Sequence, residues 1–239
     1  MNYVEFQKVV DITRQDIFKK AFVENKKNIK VKKEKTVIKN LEKIFSAVLK
    51  ISNKKGFQTM SMRDLSKESG MSMGALYAYF SSKEELLSML QRQGRTLALE
   101  IIEKNINCKK NVLEQLRAAI RTHLYISESM QPWFYFSYME AKNLNKVERE
   151  KAVNIELYAE KVITEILMQG ENEGIFRARN HQLSASIIIL PMMRDWYLNR
   201  WKYGKRNVSV DQYANIVLEF IETYYLRQDN SFLSKISTT

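Results

Sequence analysis

The sequence contains few of the residues on which several protein classes depend. Its 239 residues include one cysteine, Cys108, which excludes an intrachain disulfide framework and fits a reducing cytoplasm. Two prolines and seven glycines are too few for a loop-rich all-β protein, so long helices are favoured. No apolar run is long enough to span a membrane, and the N-terminus lacks the apolar core of a signal peptide. We therefore expect an all-α, cytoplasmic protein without a membrane partner.

The residues of common catalytic centres are also scarce. The two histidines, His123 and His181, lie far apart and show no metal-ligand spacing. Cys108 has no histidine close in sequence to act as its base. A glycine-rich phosphate loop and a nucleophile elbow are both missing. We therefore expect no enzymatic activity, no cofactor and no metal site.

Positive charge is concentrated near the N-terminus. The net charge is +12, and residues 1–83 contain 18 Lys and Arg against 8 Asp and Glu, whereas residues 84–239 contain 21 against 19. Neutralising DNA phosphates releases condensed cations, so a basic surface of this kind favours a polyanion partner. A solvated surface that aids solubility is the alternative interpretation.

The segment Met60–Lys83 predicts two short helices joined by a tight turn. Ser61 and Ser72 can each cap a helix start, and Gly70 lies where the chain must turn with a left-handed backbone. Ser82 can cap a third helix that follows at once. This arrangement is a helix-turn-helix, whose second helix can lie in the major groove of DNA.

This segment resembles the DNA-binding domain of the TetR family of bacterial transcriptional regulators, and the likeness runs from about Thr36 to Leu87. Met60 and Met71 replace the Thr and Val that are common in the family, and Met73 occupies a position that is often basic or polar. The residues at the positions of the family pattern are Gly56, Phe57, Ser61, Arg63, Asp64, Leu65, Gly70, Met71, Ser72, Gly74, Leu76, Tyr77, Tyr79, Phe80, Ser82, Lys83, Glu84 and Leu86.

The resemblance implies a DNA-binding domain over residues 36–87, with a recognition helix at about Ser72–Phe80. It assigns Tyr77, Ser61 and Lys83 to phosphates and places Arg63, Met73 and Ala75 nearest the bases. For Tyr79, packing under the recognition helix is an equal alternative. The complete set of expected DNA-facing positions is Ser61, Arg63, Ser72, Met73, Gly74, Ala75, Tyr77, Tyr79 and Lys83.

Residues 1–35 form a separate basic extension. Apolar residues at helical spacing predict an amphipathic helix over residues 2–24, which we expect to pack on its own or a partner subunit. Residues 25–35 are rich in lysine and have no apolar stripe. They are either a disordered tether or an arm that contacts DNA phosphates or the minor groove. At the other end, residues 229–239 are expected to form a frayed tail.

Residues 88–228 predict a helical effector-binding and dimerisation domain. Five aromatic residues crowd residues 133–138, and a helix with aromatic residues on all sides cannot turn them all towards one core. Plain core packing is one interpretation, and the wall of an elongated apolar pocket is the other. The residues expected to bind an apolar effector are His123, Tyr125, Trp133, Phe134, Tyr138, Arg194 and Tyr197.

Two C-terminal segments are unusually apolar. Residues 183–193 carry almost no polar side chain, and Pro191 should kink the helix expected over residues 181–203. In the TetR family, two C-terminal helices from each subunit form a four-helix dimer interface, so the resemblance implies a homodimer. The run from Arg194 to Lys202 is loosely similar to family members that sense fatty acids or acyl-CoA. The expected interface residues are Ile187, Ile188, Leu190, Val217, Phe220, Ile221 and Tyr224.

The resemblance implies a ligand-responsive regulator, expected to be a repressor. It would bind a palindromic operator with its two recognition helices about one helical turn, roughly 34–36 Å, apart. The small apolar effector would be a fatty acid or an acyl-CoA. The alternative is a basic architectural DNA-binding protein whose C-terminal domain only dimerises.

Overall fold

The described part of the chain folds almost entirely as helices, so the all-α prediction is confirmed. One isolated antiparallel bridge joins Phe176 to Leu226. No described helix is long and apolar enough to cross a membrane. Most of the helix expected over residues 2–24, much of the basic segment 25–35 and the whole tail 229–239 lie outside the described residues. The computed structural model describes residues 1–8, 19, 22–23, 29–31 and 33–227.

The α-helices of residues 33–227 are numbered here in chain order. A 3₁₀ turn, Ala141–Asn143, follows α6, and a π-helical turn, Ala185–Ile189, joins α8 to α9. The helices are α1 (Glu34–Lys55), α2 (Met62–Ser69), α3 (Met73–Leu76), α4 (Lys83–Asn107), α5 (Val112–Ser129), α6 (Gln131–Glu140), α7 (Lys146–Asn172), α8 (His181–Ser184), α9 (Leu190–Leu198), α10 (Arg200–Lys205) and α11 (Val210–Tyr225).

Helices α1 to α3 form the helix-turn-helix unit. The buried stripe of α1, including Leu41, Ile44 and Val48, packs against α2. A capping box starts α2, because the Ser61 hydroxyl accepts from the Asp64 amide at 3.1 Å and the Asp64 carboxylate accepts from the Ser61 amide at 2.8 Å. Gly70 ends α2 with a left-handed backbone. These caps and this turn confirm the local predictions made from the sequence.

The recognition helix is shorter than predicted. Ser72 caps α3 by accepting from the Ala75 amide, but α-helical geometry ends at Leu76 rather than continuing to Phe80. The Tyr79 amide then donates to the Leu76 carbonyl at 2.9 Å, a tighter bonding pattern than that of an α-helix. The segment is therefore one helical turn followed by a compact turn.

Helix α5 is the centre of the larger domain and contacts α4, α6, α7, α9 and α11. Its buried side chains lie on several faces, including Leu116, Ile120, Leu124 and Ile126. A helix that is apolar around most of its circumference must be enclosed by others. This packing places residues of α4, α5, α6, α7 and α9 around the same interior space.

Pro191 interrupts the single helix predicted over residues 181–203. Proline has no amide hydrogen, so it cannot bond to the Ile187 carbonyl four residues earlier. The π-helical turn at Ala185–Ile189 widens the backbone just before the proline. A second break at Asn199 separates α9 from α10. The irregularity predicted near Pro191 is a π-helical turn, and the structure divides the segment into three short α-helices.

Candidate DNA-binding surface and effector cavity

Most of the expected DNA-facing residues are exposed at one end of the molecule. Arg63 and Tyr77 project from the two arms of the motif, and Met73 is partly exposed at the start of α3. Ala75 is half-buried. The expected residues with exposed positions are Ser61, Arg63, Ser72, Met73, Gly74 and Tyr77.

Tyr79 does not belong to this exposed surface. Its side chain is 1% exposed, and its hydroxyl accepts a hydrogen bond from the Asn40 amide group at 2.7 Å. The buried ring fills the space between α1 and the turn after α3. The packing alternative is therefore correct for Tyr79, and a direct DNA contact by this side chain is not.

Lys83 and Ser61 are occupied by contacts within the domain. The Lys83 ammonium donates to the carbonyls of Gln58 and Met60 at 3.0 and 2.8 Å. The Ser61 hydroxyl is part of the α2 cap, where the Asp64 carboxylate also binds Lys55 at 2.8 Å. These bonds, first the one from Lys55 and then those from Ser61, hold the pKa of Asp64 well below its usual range. Both predicted phosphate contacts therefore also have a structural role.

Two short pieces of the N-terminal extension contact the folded domains. Tyr3 and Phe6 pack on the Tyr125 ring, with ring centroids at 5.7 and 5.5 Å. Ile29 is buried, and the Lys30 amide donates to the Ala78 carbonyl at 2.9 Å. The extension therefore touches the larger domain at one end and the turn after the recognition helix at the other. Packing of its first residues on the same subunit agrees with the prediction.

The larger domain contains two adjoining cavities that are partly open to solvent. The first, about 300 Å³, lies between α4, α5, α6, α7 and α9 and is called here the proximal chamber. The second, about 520 Å³, extends along α4, α5, α7 and α9 and is called the distal chamber. Both volumes are suited to small-molecule ligands. The residues common to both walls are Leu99, Ile102, His123, Ala159 and Leu190.

Aromatic rings form one wall of the proximal chamber. Phe134 meets Trp133, Tyr197 and His123 with ring centroids 5.1, 5.2 and 5.8 Å apart. The Trp133 indole donates to the Leu90 carbonyl at 3.1 Å, which fixes the ring. The predicted effector residues that line this chamber are His123, Trp133, Phe134, Tyr138, Arg194 and Tyr197.

Tyr125 is the predicted effector residue that the structure places elsewhere. It is buried, and its hydroxyl donates to the Asp211 carboxylate at 2.5 Å. Burial and this bond raise the pKa of Tyr125. Because α5 turns its faces towards different partners, Tyr125 points to α11 and the N-terminal residues while His123 lines the chambers. Sequence spacing alone could not separate these two orientations.

His123 lies at the junction of the two chambers. Burial, followed by the nearby positive charge of Arg194, lowers the pKa of His123 to about 4, so the imidazole is neutral near pH 7. Its Nδ1 atom has no hydrogen-bond partner among the described residues. The nitrogen is buried in this arrangement, so a polar group of a ligand reaches it only after the ring or a neighbouring side chain moves.

Several polar residues of the proximal chamber were not predicted. Gln91 and Arg95 extend from α4, Ser137 from α6, and Arg149 and Glu156 from α7. A signal was present for the first two. Their helix is buried on most sides, so polar residues in its middle are conspicuous. The others could not be found without knowing how α6 and α7 pack.

Helix α6 joins the chamber to the DNA-binding unit. Its Phe134 and Ser137 line the proximal chamber. On the other side, the Glu140 carboxylate accepts from the Phe57 amide at 3.0 Å, and the Phe57 and Phe136 rings meet edge to face at 5.8 Å. A change in the chamber can therefore act on the end of α1 through one short helix.

The expected dimer residues divide into two groups. Ile187 is 66% exposed, Phe220 is 54% exposed, Tyr224 is also exposed and Ile188 is half-buried. Leu190, Val217 and Ile221 are buried within the subunit, so the expectation that they form an outer face is corrected. They lie on the inner sides of α9 and α11, because each helix has one face towards α5. The exposed apolar residues of this region, called here the outer face, are Leu183, Ile187, Ile216, Phe220 and Tyr224.

Two family models match the chain. Residues 44–90 match the bacterial regulatory proteins of the tetR family, and residues 109–221 match the tetracyclin repressor-like C-terminal domain. Together the matches cover more than half of the sequence and both structural units. The chain belongs to the TetR family. Its helix-turn-helix is the DNA-binding element of transcriptional regulators of this family.

Curated relatives from this family differ in how much of their length is matched. PksA of Bacillus subtilis (strain 168) is 29% identical over 41% of this chain and 50% of its own length. An uncharacterised regulator of Haemophilus influenzae is 33% identical over 32% of this chain and 41% of its own length. The chain thus spans half or less of these two relatives. The fatty acid metabolism regulator of B. subtilis is 24% identical over 74% of this chain and 91% of its own length.

Solved TetR-family structures share the fold. KstR2 of Mycobacterium tuberculosis, a ketosteroid transcriptional regulator, has a TM-score of 0.71 at 19% identity, covering 79% of this chain and 95% of its own. AibR, in complex with isovaleryl coenzyme A and operator DNA, has a TM-score of 0.67 at 19% identity, with coverages of 76% and 97%. FadR of B. subtilis, in complex with stearoyl-CoA, has a TM-score of 0.58 at 20% identity, with coverages of 74% and 95%.

Proposed function

We propose that this TetR-family protein is a homodimeric repressor that binds a palindromic operator and is released by a small amphiphilic effector, either a fatty acid or an acyl-CoA. The observation that carries the proposal is the pair of chambers joined to the DNA-binding unit by α6. A ligand that fits one arrangement of α4 and α6 better than another shifts the dimer between two geometries. A change of a few ångströms in the spacing of the recognition helices removes the match to successive major grooves.

The outer face supports the dimer. Leu183 and Ile187 follow each other by one turn, as do Ile216, Phe220 and Tyr224. Monomeric proteins rarely leave such a continuous apolar area in water. A second copy that pairs the same face provides the two recognition helices that a palindrome requires.

The solved relatives support an acyl effector. AibR and FadR were crystallised with acyl-CoA compounds, and their folds superpose on most of this chain. The proximal chamber offers an apolar wall together with Arg194, which can hold an acidic group. In the present structure Arg194 pairs with Glu156 and lies over the Tyr138 ring at 5.9 Å.

The DNA-binding proposal is tested by selecting ligands from random DNA with the full-length protein. We expect an enriched palindromic DNA sequence. Arg63→Ala should weaken binding to that sequence by about 1–3 kcal/mol and relax the base preference at one position within it. Tyr77→Phe should weaken binding to all DNA sequences alike, because it removes a hydroxyl that can donate a hydrogen bond to a DNA phosphate. Lys146→Ala removes one positive charge from the larger domain and is the matched control. It should change neither the affinity for DNA nor the sequence preference.

The alternative function gives a different result in the same experiment. A basic architectural protein would bind every sequence with strong salt dependence and enrich none. Recovery of no preferred site at moderate salt would therefore reject the operator-specific repressor and favour the architectural role.

A further inference from the structure

The two chambers differ in the sign of their charges. Three arginines, Arg95, Arg149 and Arg194, line the proximal chamber, together with one carboxylate, Glu156. In the distal chamber the charged lining residues of the described chain are Glu103 and Glu165, and none is a lysine or arginine. Glu148 and Glu156 pair with Arg95 and Arg194, so the proximal chamber keeps an excess of one positive charge where the distal chamber has two negative charges. An anion is therefore more favourable in the proximal chamber than in the distal one.

Unpaired polar atoms are also concentrated at the proximal end. Gln91 Nε2, Arg95 Nη1 and Ser137 Oγ have no hydrogen-bond partner among the described residues, and all three residues line the proximal chamber but not the distal one. Gln91 and Arg95 are almost fully buried. A buried donor without an acceptor is unfavourable, so an acceptor group in the chamber would be stabilised there.

The positions of these groups suit a carboxylate. Gln91 and Arg95 are one helical turn apart on α4, so they share a face. The Arg95 guanidinium is held by the Glu148 carboxylate through Nη2 at 2.7 Å, which leaves the other amino group unused. The two unpaired donors, Gln91 Nε2 and Arg95 Nη1, match the two oxygens of one planar carboxylate, one donor to each oxygen, while Arg95 Nη2 stays with Glu148.

The distal chamber suits a hydrocarbon chain. Its wall includes Ile106, Ala119, Val162, Ile166 and Met193, which belong to four helices. His123 and Leu190 connect it to the proximal chamber without a charged residue between them. A chain that starts at α4 therefore has a continuous apolar path past His123.

We infer that the effector is a single-chain monocarboxylate whose head group lies against Gln91 and Arg95 in the proximal chamber and whose hydrocarbon chain passes His123 into the distal chamber. This inference rests on the proposed function, since it specifies the ligand of the same cavity. It fixes the direction of the chain and places the head group on α4, the helix that begins at the DNA-binding unit.

The head group is tested by calorimetric titration of the full-length protein with dodecanoate, dodecanol and dodecylamine below their micelle concentrations. We expect dodecanoate to bind at least tenfold more tightly than dodecanol, and dodecylamine to bind least. Gln91→Leu should reduce the dodecanoate preference several-fold without lowering the unfolding temperature, because the amide nitrogen has no partner to lose. Gln115→Leu, the same change in the distal wall, should keep the preference.

The chain direction is tested with carboxylates of increasing length. Ala119→Phe narrows the distal chamber alone, so the best-bound chain should become shorter while the preference for a carboxylate remains. Ala141→Phe, which fills the proximal chamber alone, should weaken the binding of carboxylates of every chain length alike.

The outcomes separate this inference from the proposed function. Equal binding of dodecanoate and dodecanol, or binding of the coenzyme A thioester alone, would overturn the buried carboxylate and leave an acyl-responsive repressor in place. If no acyl compound of any length binds or releases operator DNA, the effector part of the proposed function is wrong as well.

Discussion

Replacing Gly94 with alanine should disturb the proximal chamber through one added carbon atom. A Cβ built at this position would lie 1.9 Å from Trp133 Cε2 and 2.1 Å from its Nε1. In an open helix interior, Gly→Ala stabilises by about 0.5–1 kcal/mol. Here the rigid, buried indole must move instead, and overpacking of this kind costs about 1–3 kcal/mol.

The displaced indole also loses a hydrogen bond. Trp133 donates to the Leu90 carbonyl, and such a bond contributes about 0.5–1.5 kcal/mol. After the gain from alanine is subtracted, Gly94→Ala should destabilise the protein by about 0.5–4 kcal/mol. For a chain of this size, the unfolding temperature should fall by roughly 1–16 °C.

The assay is thermal unfolding by circular dichroism, with tryptophan fluorescence recorded on the same samples. Gly74→Ala is the matched control, because no atom lies within 4 Å of its added carbon. That variant should unfold at or above the wild-type temperature. Should Gly94→Ala unfold no earlier than wild type with unchanged emission, the packing of Trp133 on α4 would be refuted.

Two further predictions concern the outer face and His123. The double variant Ile187→Glu and Phe220→Glu should convert the dimer to a monomer in sedimentation equilibrium, because its charges would be buried in the apolar contact. Val147→Glu, at an exposed apolar site on α7, should leave the dimer intact. An unchanged mass for the double variant would place the dimer contact elsewhere. The pKa of His123 is about 4 in the folded protein against 6.5 in the unfolded chain, so the unfolded chain takes up the proton first as the pH falls. The free energy of unfolding should therefore decrease by roughly 3 kcal/mol between about pH 6.5 and pH 4. His123→Phe should remove that part of the pH dependence in chemical denaturation, and an identical slope would show that the imidazole is not buried in its neutral form.

Local signals in the sequence determined the DNA-binding unit. Ser61, Gly70, Ser72 and Ser82 act as caps and turns where the sequence placed them, because capping and left-handed turns depend on neighbouring residues only. The same locality explains why the sequence left both packing and DNA contact open for Tyr79. Its neighbours resemble those of exposed residues, whereas its burial depends on Asn40 of another helix.

The larger domain required tertiary structure. The sequence predicted its helical class and most aromatic residues of the proximal wall, since both follow from composition and periodicity. It could not assign Tyr125 to α11, Val217 and Ile221 to the interior, or Gln91 to the wall of the proximal chamber. Each of those depends on which face of a helix meets which neighbour, and helix packing is set by contacts between residues far apart in the chain.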